Sequence, residues 1–168
     1  MLGHFISQML LLFFPFYVLV GAIFDMKTLR IPNSYNLFGF LMFFPVFYFS
    51  NIALNDMGIH LLTFVVVLII GFAAFAAGFF GGGDAKFIAV IALWIGYEAM
   101  LNFLFFMALF GGILAVIVTL GGRYIPDRYQ PEIFKNMVER KVVPYGTAMS
   151  LAAIVIYDET RLWALFMS

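Results

Sequence analysis

Long stretches without a charged residue constrain this chain more than any other feature of its sequence. Six such windows cover residues 1–24, 31–55, 57–83, 87–97, 99–122 and 142–157. A helix needs about 20 apolar residues to cross the hydrocarbon of a bilayer, and four of the windows meet that length outright. The chain is also 65% hydrophobic and only 11% charged, whereas ordinary soluble domains are about 25% charged. The sequence therefore predicts a polytopic membrane protein.

The fourth and sixth windows are shorter than the others and need additional residues to span a bilayer. A helix that starts at Asp84, with Lys86 reaching the interface, lengthens the fourth window. The segment LWALFMS near the C-terminus extends the sixth. No repeat or low-complexity tail divides the chain. A secretory signal has Lys or Arg before its apolar stretch, and residues 1–24 contain neither, so we interpret this window as a retained span. The prediction is an all-α fold with six transmembrane helices in one bundle, forming a single integral-membrane domain of residues 1–168.

The positions of the cations predict the orientation of these spans. Cytoplasmic loops are enriched in Lys and Arg, and all but one of the nine cations follow the first, third or fifth window. That distribution places the N-terminus and the C-terminus outside and the following residues on the cytoplasmic side: Lys27, Arg30, Lys86, Arg123, Arg128, Lys135, Arg140 and Lys141.

Composition also excludes several classes of site and partner. Cysteine is absent and the histidines are His4 and His60, so disulfides, thiolate chemistry and a zinc or iron site are not expected. The formal net charge of zero supplies no basic face for nucleic acid. We expect no metal, no cofactor and no nucleic-acid partner.

Two carboxylates stand at cytoplasmic ends of the predicted spans. Asp25 follows the first window, and Asp84 follows three consecutive glycines at the end of the third. An ionisable group in or beside a membrane helix is costly, and it is therefore a functional hypothesis. The alternative is that an Asp only caps the next helix, for which Asp is among the best residues. A cap does not require three glycines, whereas a close approach of two backbones favours them, so we interpret Asp84 as part of a site.

Three motifs containing these residues resemble those of a known family. GGGDAK at residues 81–86 resembles the Gly-x-Gly-Asp signature of intramembrane aspartyl proteases. DMKTLRIPN at residues 25–33 resembles the Asp, five residues, Ile-Pro-Asn pattern of the type IV prepilin peptidases, and VPYGTA at residues 143–148 looks like their late motif. The presenilin-like branch shares Gly-x-Gly-Asp, but its first Asp usually follows a Tyr, and here Phe24 precedes Asp25.

This resemblance implies an aspartic endopeptidase that removes the short basic leader from prepilins at the cytoplasmic face of the inner membrane. Asp25 and Asp84 match the catalytic pair. Two adjacent carboxylates share a proton, so one acts as base and the other as acid, and the sequence does not say which. The residues that match around them, as supporting candidates, are Gly81, Gly83, Lys86, Pro32, Asn33, Tyr145 and Gly146.

The supporting residues have competing interpretations. Lys86 either lowers the charge cost of the pair, holds a substrate carbonyl, or simply anchors the topology at the membrane boundary. Pro32 and Asn33 fit a structural role at the start of the second span, because Pro interrupts a helix and Asn caps one. Tyr145 and Gly146 lie at the same boundary and are candidates to line the site.

The size of the chain indicates which kind of member of this family it resembles. Larger bifunctional members carry an N-terminal region with paired cysteines and also methylate the new N-terminus. This chain has no cysteine, so it looks like the minimal peptidase that serves Flp/Tad-type pili, with a prepilin, the lipid bilayer and pilus or secretion machinery as partners. An archaeal preflagellin-type peptidase is the nearest alternative. A small proton- or ion-coupled transporter and a non-catalytic assembly factor are alternatives of other classes.

The segment before the last window is the one sizeable polar connection. In PEIFKNMVERKVV, Pro131 and Glu132 favour a helix start, and four apolar residues share one face of the helix that follows. The pattern predicts a short helix on the cytoplasmic membrane surface. The apolar face consists of Ile133, Phe134, Met137 and Val138.

Overall fold

In the computed structural model, every regular element of the described residues is helical. These residues are 12–49, 53–79, 81–140, 142–160 and 162–164. They form the helices α1 (Phe13–Thr28), α2 (Asn33–Phe49), α3 (Leu54–Ala76), α4 (Gly82–Ile95), α5 (Met100–Tyr124), α6 (Glu132–Arg140) and α7 (Tyr145–Val155), with 3-10 turns at Asp127–Tyr129 and Tyr157–Glu159. The all-α class is confirmed. Residues 1–11 of the first predicted span and most of the LWALFMS extension lie outside the described residues.

Two of the described helices are long and apolar enough to cross a membrane by length and composition alone. They are α3, with 23 residues, and α5, with 25 residues. At 1.5 Å per residue these helices are about 35 Å and about 37 Å long, more than the hydrocarbon thickness of about 30 Å. The described parts of α1, α2, α4 and α7 have 16, 17, 14 and 11 residues. The length criterion therefore selects two of the six predicted spans.

Helix α4 is the core of the described fold. Its residues from Phe87 to Ile95 are all buried, and it packs against α2, α3 and α7. A helix that is hydrophobic all round has no polar face to turn outward, so its neighbours enclose it. The Trp94 indole Nε1 donates a hydrogen bond of 3.0 Å to the carbonyl oxygen of Gly39, which satisfies the polar atom of a fully buried ring.

Glycines allow rings and backbones to approach between these helices. A methyl group at Gly21 would lie 2.5 Å from the Phe87 ring, and one at Gly39 would lie 2.4 Å from the Tyr17 ring. At Gly71 of α3 it would lie 3.1 Å from the carbonyl oxygen of Ala85 in α4. Small residues at helix contacts are typical of membrane proteins. Helices in lipid associate through close van der Waals packing, because the apolar lipid provides no hydrophobic driving force for their association.

The short helix predicted after Pro131 is confirmed as α6. It packs against the end of α5, where Phe134 lies over Gly121 and Val138 lies over Gly122. Met137 is buried, whereas Ile133 is 41% exposed. Most of the predicted apolar face is therefore used against α5.

Candidate active site

The structure brings Asp25 and Asp84 from distant parts of the sequence to the same end of the helical bundle. Asp25 lies in the last turn of α1, and Asp84 lies in the first turn of α4. The two carboxyl groups are close enough to interact electrostatically. Asp25 is only 3% exposed, whereas Asp84 is half-buried. Both acidic side chains are thus partly withdrawn from water at one end of the bundle.

The carboxyl group of Asp25 lies at the N-terminus of α7. Its Oδ2 accepts a hydrogen bond of 2.8 Å from the backbone N–H of Thr147 and lies 3.3 Å from the Thr147 hydroxyl. The first N–H groups of a helix have no partner within the helix and carry its positive dipole end. Helix α7 therefore supplies polar partners to an acid on α1.

Asp84 has a different set of contacts. It is the third residue of α4, and its Oδ2 accepts a long hydrogen bond of 3.3 Å from the backbone N–H of Gly81. A carboxylate at this position helps to cap the helix, as the alternative interpretation proposed. Asp84 also lines a cavity, so capping does not remove it from the candidate site.

Gly83 and Gly146 hold the two aspartate segments against the same residue, Ile31. A methyl group at Gly83 would lie 2.7 Å from the carbonyl oxygen of Ile31, and one at Gly146 would lie 2.7 Å from its Cδ1 and 2.9 Å from Cγ of Asp25. Ile31 is 4% exposed. The Ile-Pro-Asn, Gly-Gly-Gly-Asp and Tyr-Gly-Thr segments therefore converge on one point, and only glycine fits at two of the contacts.

Two polar contacts join α2 to the start of α4, which contains Lys86 and most of the glycine turn (residues 81–83). The Lys86 ammonium donates a hydrogen bond of 2.7 Å to Oδ1 of Asn33, and the buried Asn36 amide donates one of 3.0 Å to the carbonyl oxygen of Gly83. The carbonyl oxygen of Pro32 accepts the N–H groups of Tyr35 and Asn36, which starts α2. Lys86 and Asn33 thus connect two of the sequence motifs directly.

A cavity of about 680 Å³ lies beside Asp84. Its walls come from the end of α1, the α1–α2 connection and the glycine turn at the start of α4. The connection turns sharply because Leu29 adopts the left-handed region, with φ 53°, and its N–H donates to the carbonyl oxygen of Asp25. The lining residues are Phe24, Thr28, Leu29, Arg30, Ile31, Pro32, Asn33, Gly81, Gly82, Gly83 and Asp84. The volume of the cavity lies in the range of about 300 to 1,000 Å³ that is typical of ligand-binding clefts.

Most residues predicted for the site, though not all, are brought together here. Gly81, Gly83, Pro32, Asn33 and Asp84 line the cavity, whereas Tyr145 packs over Gly111 of α5. Among the described residues, no group of three His, Cys, Asp or Glu could hold a metal ion.

Two residues with direct contacts to the site were not singled out from the sequence. Thr147 contacts Asp25, and Asn36 contacts the glycine turn. The sequence marks both residues, because Thr147 belongs to the VPYGTA motif and Asn36 is an amide that directly precedes the long apolar part of α2. That signal identifies a polar group but does not identify its partner.

An all-helical chain with membrane-capable helices and an acidic pair at one end defines a class of membrane protein with a carboxylate site. The model of the type IV leader peptidase family matches residues 12–116, and the chain belongs to this family. It is therefore a peptidase, and the family together with α3 and α5 indicates a membrane protein. No curated protein and no solved structure matches the chain. The matched region includes both aspartates and ends before the VPYGTA motif.

Proposed function

We propose that this chain is an intramembrane aspartyl endopeptidase that removes the short basic leader from type IV prepilins of the Flp/Tad type. One observation carries the proposal: the segments of Asp25 and Asp84, the acidic residues of two separate motifs, converge on Ile31, and Asp84 lines a cavity of about 680 Å³. Membership of the type IV leader peptidase family supports it independently of that geometry.

In the proposed mechanism the two carboxyl groups share one proton. The ionised group takes a proton from water, whose oxygen forms a bond to the scissile carbonyl carbon, while the protonated group donates its proton to the carbonyl oxygen. As the tetrahedral intermediate collapses, the C–N bond breaks, the aspartate that took a proton from water gives it to the leaving nitrogen, and the other aspartate takes the hydroxyl proton as the carbonyl re-forms. One water is consumed, and both aspartates return to their starting state.

The same proposal places the site at the cytoplasmic face of the inner membrane. The cations Lys27, Arg30 and Lys86 lie near the two aspartates in the sequence, and cytoplasmic loops are enriched in such residues. With six spans forming a single domain, both termini lie outside. The bilayer holds the substrate's own apolar segment, and its leader reaches the cavity from the cytoplasmic side.

The test is cleavage of a co-expressed Flp-type prepilin, followed as a mobility shift on a gel. We expect cleavage by the wild type and none by Asp25→Asn or Asp84→Asn, which keep the shape of the side chain but cannot exchange a proton in the same way. Undiminished cleavage by either variant would contradict the two-aspartate mechanism.

The matched control is Asp158→Asn, because Asp158 is an exposed acid at the end of the described fold. It should cleave as the wild type does, which would show that loss of a carboxylate elsewhere is harmless. If the wild type fails on the Flp-type prepilin but cleaves an archaeal preflagellin, then the substrate assignment is wrong, and the two Asp→Asn variants test the mechanism on the preflagellin.

A further inference from the structure

The Thr147 side chain occupies a position that the proposed mechanism does not yet use. It is 7% exposed, and its hydroxyl oxygen lies 3.3 Å from Oδ2 of Asp25 and 3.4 Å from the carbonyl oxygen of Ala22. Its backbone N–H donates to the same Oδ2 at 2.8 Å. One residue therefore presents two donors to a single carboxylate oxygen.

A hydroxyl carries one proton and donates it to one acceptor at a time. When Asp25 is ionised, donation to Oδ2 gives that oxygen two hydrogen bonds. When Asp25 holds a proton, the hydroxyl can donate instead to the carbonyl oxygen of Ala22. Neither state leaves the Thr147 hydroxyl without an acceptor, so a change in the charge of Asp25 does not require its surroundings to rearrange.

We propose that Thr147 is the positioning residue of Asp25, which holds Oδ2 in place and leaves Oδ1 as the oxygen that exchanges protons during the reaction. This inference rests on the proposed function. The two aspartates are then not equivalent. Asp84 has one long contact, from the backbone N–H of Gly81, whereas α7 presents to Asp25 the backbone amides of Gly146 and Thr147 and the Thr147 hydroxyl.

The groups around Asp25 limit which other residues could produce the same effect. Asp84 of α4 is the ionisable group that interacts with it electrostatically, and α7 contributes the backbone amides of Gly146 and Thr147. Ile31, on the connection to α2, packs against Gly146 and is apolar. Removing the Thr147 hydroxyl should therefore change the ionisation of Asp25 without removing another charge.

The test compares Thr147→Val, Thr147→Ala and Thr147→Ser in purified enzyme, with kcat, KM and the pH profile of prepilin cleavage as readouts. We expect Val and Ala to lower kcat about tenfold, the usual effect of losing a hydrogen bond to a charged group, and to leave KM unchanged. The limb of the profile that Asp25 controls should move to higher pH, because the ionised carboxylate loses a donor. Ser should restore both.

The matched control is Thr63→Val, because Thr63 is also buried and donates to a carbonyl oxygen within α3, that of Ile59. It should leave kcat and the pH profile unchanged. A wild-type profile in Thr147→Val or Thr147→Ala would overturn the proposal, and so would a Ser variant as defective as Val. If neither Val nor Ala accumulates in the membrane, the hydroxyl is structural and the proposal also fails.

The failure of this inference is distinguishable from that of the proposed function. The wild type and the two Asp→Asn variants decide whether the chain is an aspartyl peptidase. The Thr147 series is informative once the wild type cleaves, and it then decides only how Asp25 is held.

Discussion

At the scale of single residues, Gly146 shows how little space separates the motifs of the site. A side chain there would collide with Cβ and Cγ of Asp25, at 3.0 Å and 2.9 Å, as well as with Ile31. The end of the Ile31 side chain can move, but the Asp25 atoms cannot move without shifting the carboxyl group itself. Glycine at this position is thus a condition for the placement of Asp25.

We therefore predict that Gly146→Ala lowers the rate of prepilin cleavage between about tenfold and about 100-fold, since a displacement near 1 Å of a reacting group has effects of this size. The rate of the purified variant measures this. Gly112→Ala is the matched control, because a methyl group at Gly112 meets no atom within 4 Å. Equal rates in the two variants would show that the contact with Asp25 does not matter.

The acidic pair also predicts how cleavage depends on pH. If Asp25 and Asp84 share one proton, the rate should follow a bell-shaped profile. It falls at low pH because the base becomes protonated, and it falls at high pH because the acid loses its proton. The initial cleavage rate in buffered detergent across both ranges is the measurement. A rate that rises through acidic pH and stays level in alkaline buffers would show that no protonated carboxyl group is required.

At the scale of helices, α4 and α6 differ in how much of their surface is buried. From Phe87 onward α4 is apolar on every side, and α2, α3 and α7 enclose it, so its polar first turn with Asp84 lies at one end of a buried helix. α6 uses one face, and two glycines of α5 receive the side chains of that face. A methyl group at Gly122 would lie 2.6 Å from Cγ1 of Val138, whose branched side chain has little rotational freedom in a helix.

We predict that Gly122→Ala displaces α6 from α5, because such overpacking costs about 1 to 3 kcal/mol. The chain has no cysteine, so Met137→Cys is a specific reporter of this contact. Met137 is 5% exposed, and its cysteine should react slowly with a maleimide in the parent and faster when Gly122→Ala is added. Adding Gly112→Ala instead should leave the reaction slow. Equal reactivity in all three would mean that α6 does not depend on Gly122.

At the scale of the whole molecule, the arrangement of the helices and the distribution of cations should agree. If α4 crosses the membrane, Lys27 and Arg128 lie on the same side as the aspartates, and Leu54 and Glu98 lie on the other. If α4 does not cross, the connection that contains Arg128 moves to the side opposite Lys27.

We predict that an impermeant maleimide labels Leu54→Cys and Glu98→Cys in intact cells and labels Lys27→Cys and Arg128→Cys only after permeabilisation. These four positions are exposed in the structure, so differences in labelling report the side of the membrane. Cleavage of a prepilin by each variant controls for folding. Labelling of the Lys27 and Arg128 variants from opposite sides would contradict six spans.

By itself the sequence determined the all-α class, the family motifs, the two acidic candidates and the short helix after Pro131. These follow from local chemistry, because charge-free windows, an apolar face at helical spacing and glycines before a carboxylate are properties of neighbouring residues. The motifs predict that Asp25 and Asp84 form a pair. Their proximity in space depends on how the helices pack, which the motifs do not specify.

Only the tertiary structure decided which groups surround the aspartates. It placed Thr147 on Asp25, Asn36 on the glycine turn and Tyr145 over Gly111. It also showed that α4 is enclosed by its neighbours, although its window was the shortest of the six. Such contacts join residues far apart in the chain, and they depend on how closely glycines let the helices approach. The spacing of residues along the sequence predicts which of them share a helix face, but it does not give the distances between helices. Only the packed structure specifies those distances.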